Sequence, residues 1–133
     1  MKKFELDGAA LDWAVAKCEG VNAETFRLYY EPTEPSDYDS HLYPEFHYSS
    51  IWAQGGPIIE RESIFLVREK AGQGGRRLWA ATLGTNIYSG FGGESIKLYR
   101  DAFVYGPTPL IAAMRCYVAS KMGDDIDIPE ELK

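Results

Sequence analysis

The chain has 133 residues, 45% hydrophobic and 14% aromatic, which is enough to bury a core in one domain without metals or disulfides and argues against disorder as the main state. Its formal net charge of −6 argues against a general nucleic-acid binder, because duplex affinity comes largely from Lys and Arg neutralising phosphates. No apolar run reaches the ~20 residues of a membrane span, and the opening MKKFELDG lacks the apolar region of a secretion signal, so the expectation is a cytoplasmic protein with no membrane partner.

The first predicted element is a helix over GAALDWAVAKCEG. Asp7 can cap it, Leu11, Ala14, Val15 and Cys18 recur at helical spacing, and Gly20 follows its end. Residues 25 to 30, TFRLYY, are rich in strand formers and predict a short strand. The loop from Glu31 to Phe46 carries prolines, acids and tyrosines and is too aromatic for a simple linker. Next, SIWAQGGPIIERE at 50 to 62 sets a tryptophan and an amide before Gly55, Gly56 and Pro57, which predicts a glycine-permitted bend. Strands are predicted at 63 to 68 and 77 to 83, joined as an antiparallel hairpin by the glycine-rich EKAGQGGR. GTNIYSGFGGES predicts a further loop, and 96 to 105 fits a strand or a short helix equally. The clearest element is the helix after Gly106: Thr108 is an N-cap candidate, Pro109 suits the first turn, Leu110, Met114, Tyr117 and Val118 form a stripe, and Gly123 suits the C-terminal cap. The acidic stretch 124 to 133 closes the chain. These elements predict a single α+β domain over residues 1–133, a small antiparallel sheet packed by an N-terminal and a C-terminal helix. Cys18 and Cys116 are expected to be small buried hydrophobes.

Three blocks, GAALDWAVAKCEG, WAQGGPIIERE and GPTPLIAAMRCYVASKMGDDIDIPEEL, together resemble the NinX-like phage proteins, a family of unknown function. The resemblance implies a phage accessory protein acting in the cytoplasm of a bacterial host, and it brings no catalytic residues with it.

Charge is unevenly spread. Residues 1 to 60 hold four basic and eleven acidic side chains, residues 61 to 123 nine and four, and residues 124 to 133 one and five. The basic middle offers a local anion site. Trp52 or Trp79 can stack on a ring, Gln54 can hydrogen-bond a base-like edge, Gly55 and Gly56 let backbone amides approach an anion, and Arg61, Arg76 and Arg77 can face the charge. The leading expectation is therefore a non-enzymatic binder of a small anionic, nucleotide-derived ligand, acting to sequester a host immune signal. The alternative is a module that modulates a host or phage enzyme through protein contact, using its tyrosines as anchors. Enzyme chemistry has weaker support. His41 and His47 near Asp37, Asp39 and Glu45 match no zinc spacing, and Glu60 and Glu62 flanking Arg61 are more often a solvated edge than an acid/base pair. No cofactor is expected. The many aromatic residues and two apolar helices predict a homo-oligomer.

Overall fold

Asp7 does cap the first helix, α1 (Gly8–Cys18), its carboxylate accepting the Gly8 N–H at 2.8 Å. The computed structural model describes residues 1–21, 46–69, 78–84, 87–88, 97–98 and 103–133. The strand expected at 25 to 30, nearly all of the aromatic loop 31 to 46 and most of the hairpin connection lie outside those residues. Within them follow α2 (Trp52–Arg61), β1 (Ile64–Arg68), β2 (Trp79–Leu83), the two-residue strands β3 (Ile87–Tyr88) and β4 (Lys97–Leu98), β5 (Val104–Gly106) and α3 (Pro109–Met122). Single 3-10 turns lie at Lys3–Glu5 and Glu130–Leu132. No helix among the described residues is long and apolar enough to cross a membrane.

The sheet has the order β1-β2-β5 and is antiparallel throughout. Leu66 pairs with Ala81 and Ala81 with Val104, while Trp79 stands between Arg68 and Gly106. Because side chains alternate along a strand, Ile64, Leu66, Trp79, Ala81, Leu83 and Val104 share one face, and all of them belong to or pack on the main core. The ambiguous stretch at 96 to 105 resolves into strand at both of its described ends, β4 and β5. β3 and β4 pair separately.

The core centres on α3. Thr108 Oγ1 accepts the Ile111 N–H at 3.1 Å, Pro109 opens the helix and Gly123 ends it with φ 85°. Leu110, Ala112, Ala113, Met114, Cys116, Tyr117 and Val118 are all buried, more than one stripe can hold, and a helix apolar on so many sides lies inside the fold. It contacts all three strands of the main sheet on one side and α1 and α2 on others. The approach to β5 is close: a Cβ at Gly106 would lie 2.6 Å from the Ala112 nitrogen. Arg115 crosses the same region, donating from Nε to the Leu6 carbonyl at 2.7 Å and from Nη1 to the Tyr105 carbonyl at 2.9 Å. Burial lowers its affinity for the proton.

Among the described residues, Asp124 and Asp125 of the acidic end pair with the first three residues of the chain. The Met1 ammonium donates to the Ile126 carbonyl at 2.7 Å, Lys2 pairs with Asp125 at 3.1 Å and Lys3 with Asp124 at 2.8 Å. Ile126 and Ile128 are thereby carried into the core.

We predict that Met114→Ala lowers stability by about 2–5 kcal/mol, the range for emptying a fully buried Met site, measured by chemical denaturation. A chain cut at Gly106 loses α3 and should show no cooperative transition at all. A truncated chain that still melts cooperatively would remove α3 from the centre of the fold.

Candidate functional site

The bend expected at WAQGGP is a helix. Local propensity argues against it, since Gly costs about 1 and an interior Pro about 3 kcal/mol relative to Ala, and tertiary packing reverses the balance. Ile58 is 1% exposed in the core. Gly55 lies against the turn before the helix and against α3, where an added Cβ would collide with the Tyr48 carbonyl oxygen and stand 2.6 Å from Leu110 Cδ2. Gly55 is therefore a packing glycine, and its N–H is donated to the Ile51 carbonyl at 3.0 Å. Pro57 has no N–H to offer the Ala53 carbonyl, and α2 continues past it.

Gln54 likewise serves the fold. Its Oε1 accepts the His47 N–H at 2.7 Å, and the His47 carbonyl in turn accepts the N–H of Ser50 at 3.1 Å and of Ile51 at 2.8 Å. From α1, the buried Asp12 carboxylate accepts the Ser49 N–H at 2.9 Å. Phe46 and Tyr48 stack with ring centroids 6.0 Å apart, and burial pushes the Tyr48 phenol above its usual value. The turn at 47 to 50 is fixed from α1 and α2 together. It delivers Ile51, 41% exposed, and Trp52, 55% exposed, to the surface at the start of α2.

Arg61, its side chain half exposed, is engaged by an acidic partner within the chain. Its Nη1 and Nη2 form a two-pronged pair with the Glu19 carboxylate at 3.0 and 2.8 Å, and Tyr117 donates its hydroxyl to the same carboxylate at 2.8 Å. The guanidinium also lies 5.7 Å from the Tyr117 ring. Glu62 stands 3.4 Å from Arg61 Nε and 4.0 Å from Lys121. Residues from the ends of α1 and α2 and from α3 thus form one clasp. Neither Glu19 nor Tyr117 stood out in the sequence as a partner of Arg61, because 42 and 56 residues separate them from it along the chain.

Trp79 sits on β2, half-buried, with the Arg68 guanidinium 5.9 Å from its ring. Gly56 has room, since an added Cβ would meet only Trp52 Cε3 at 3.9 Å. Arg76 and Arg77 lie outside the described residues, as do His41, Asp37, Asp39 and Glu45. Of the expected ligand residues, then, Gln54, Gly55 and Arg61 are drawn into the fold, and Trp52 stays open. Cys116 is buried as expected, which pushes its thiol up to about 11. Cys18 is only partly covered.

The clasp sets two pH limits. Burial pushes the Glu19 carboxyl up, but the hydrogen bonds from Arg61 and Tyr117 outweigh it and hold the group below the ordinary carboxylate range. Burial and the bond to Glu19 push the Tyr117 phenol above the usual tyrosine value. A lowered carboxylate contributes stability above its unfolded value of about 4.3 and loses it as pH falls through the folded value; a raised phenol contributes below about 10 and loses it as pH rises. Stability plotted against pH should therefore fall on both sides, with Glu19→Gln flattening the acid limb and Tyr117→Phe the alkaline limb. The two glycines should separate as well. Gly55→Ala is predicted to destabilise by about 1–3 kcal/mol through overpacking, whereas Gly56→Ala should be neutral or stabilise by up to about 1 kcal/mol, both read by thermal melting.

Among known proteins, the family model described as Bacteriophage P22, NinX matches residues 2–121, a span that takes in every described strand and all but the last residue of the three described helices. No curated protein matches the chain.

Proposed function

The chain belongs to the bacteriophage P22 NinX family, and from that premise we propose that this phage accessory protein works without catalysis, as a contact module docking on a host or phage enzyme through Ile51 and Trp52. One observation carries this reading: two adjacent large apolar side chains stand exposed on a turn and helix start that several polar contacts hold in place. An exposed indole on a fixed backbone suits a protein contact, because an aromatic with few rotatable bonds gains buried area with little loss of conformational freedom. The site is in host cytoplasm in this reading. A second copy of the chain covering the same residues would make the expected homo-oligomer.

The small-ligand reading keeps one support of its own. Arg68 lies over the Trp79 ring at the end of β1, and the sequence between these two strands carries Arg76 and Arg77; a ring-bearing anion such as a nucleotide-derived immune signal would use such a group. With Gln54, Gly55 and Arg61 engaged elsewhere, this reading rests on Arg68, Trp79, Arg76, Arg77 and an open Trp52.

Affinity capture from phage-infected cells separates the two. Under the docking reading, an identified protein is retained by the wild type and by Arg76→Ala/Arg77→Ala, and is lost at least tenfold with Trp52→Ala at unchanged melting temperature. A nucleotide retained by the wild type and lost with the double arginine variant, with no protein that depends on Trp52, would replace docking with ligand capture.

A further inference from the structure

The three helices among the described residues are attached in different ways. α1 and α3 each bury seven residues, while α2, ten residues long, buries only Gly55 and Ile58. Ile59 also packs, partly buried, against the core, and the remaining attachments of α2 are polar and lie at its two ends. At the N-terminal end, Gln54 holds the His47 N–H and Asp12 holds the Ser49 N–H. At the C-terminal end, Arg61 is gripped by Glu19, and Tyr117 braces that carboxylate from α3. Within the helix, Pro57 removes one backbone hydrogen bond. Immediately after it, Ser63 has φ 52°, a left-handed conformation that costs a non-glycine residue about 1–3 kcal/mol. The Gly84 N–H, donated to the Ser63 carbonyl at 2.7 Å, fixes that residue to the sheet.

We propose that α2 is a latched arm that opens from α1 and α3 as a unit, with the Glu19–Arg61–Tyr117 clasp as its latch and Ser63 as its pivot. Segments with few buried apolar contacts open at lower free energy than the core around them. A short helix with an interior proline has little stability of its own, so its closed position depends on the groups at its ends. The strain at Ser63 is located where a swing of α2 would change the backbone most. Opening would uncover the surface under α2, including Leu110 beside Gly55 and the Tyr117 ring beside Arg61, and would move Ile51 and Trp52 with the helix. The latch would thus regulate how the docking residues are shown, and in that respect it rests on the proposed docking function, although the opening itself does not.

Glu19 is the residue to remove. Around its carboxylate stand Arg61 from α2, Tyr117 and Lys121 from α3, Cys18 beside it on α1 and Tyr48 from the turn. Loss of the carboxylate releases Arg61, already half exposed, and removes the acceptor of the Tyr117 hydroxyl, while the apolar contacts of α3 stay in place.

Amide hydrogen exchange on the full chain tests the proposal, comparing residues 52–61 with residues 110–118. In the wild type, α2 should exchange at least tenfold faster than α3. In Glu19→Ala its exchange should rise a further three- to tenfold with α3 unchanged, and Glu19→Gln, which keeps one acceptor, should fall between. A variant that raises exchange in α2 and α3 by the same factor has weakened the whole fold and would overturn the arm, as would wild-type α2 exchanging in step with α3. Trp52→Ala gives the separate readout: it should abolish partner capture and leave α2 exchange unaltered. Glu19-dependent opening together with Trp52-independent capture would keep the latch and reject the docking reading.

Discussion

The burial of α3 is the constraint from which the rest of the structure follows. A helix apolar on several sides must be enclosed, and here the sheet, α1 and α2 enclose it. Small residues at the contacts make this possible. Gly106 lets β5 approach the first turn of α3, Gly55 lets α2 and the preceding turn approach Leu110, and Ala112 and Ala113 present no bulk to separate them. Once α3 is seated, Arg115 ties it to Leu6 and Tyr105, and Tyr117 reaches the clasp between α1 and α2. A single buried helix therefore supplies both the apolar centre and the polar fastening of the elements around it.

The sequence was most readable where local chemistry and tertiary packing agree. Asp7, Thr108, Pro109 and Gly123 mark helix ends by mechanisms that need no long-range partner, and α1 and α3 lie where those residues put them. The hairpin of β1 and β2 also follows from its strand formers. WAQGGPIIER was misleading because two glycines and a proline are poor helix formers, while the contacts that favour the helix come from residues far away in the chain. A signal was present in Gly55, Ile58 and Ile59, spaced by three and four along one face, but glycine reads as a breaker until its close neighbour is known. The basic middle was misleading in another way. Composition placed Arg61 in an anion site, and only the fold reveals that Glu19 already supplies the anion. Composition likewise could not show that the acidic end meets Met1, Lys2 and Lys3.

The contacts around α2 separate residues that hold the fold from residues left open to solvent. Gln54, Gly55, Arg61 and Asp12 each have a defined part in holding α2 and its turn. Ile51 and Trp52 have no comparable cover. Keeping a tryptophan half exposed on a turn fixed by a buried carboxylate is hard to explain by stability, because turning the same ring inward would bury more apolar area at about 25 cal/mol per Å². The NinX membership places these residues on a phage-family protein, and a role for them rests on the exposed site itself, since a fold does not by itself imply a function.

Site-specific photo-crosslinking in phage-infected cells addresses the central claim most directly, with the crosslinking residue placed at position 52 and, as a control, at the exposed Glu130. The account predicts one discrete adduct with another protein from position 52 and none from position 130. Absence of any protein adduct from position 52 in cells where the protein is folded and abundant would contradict it, and an adduct only with a second copy of the chain would assign the surface to self-association instead.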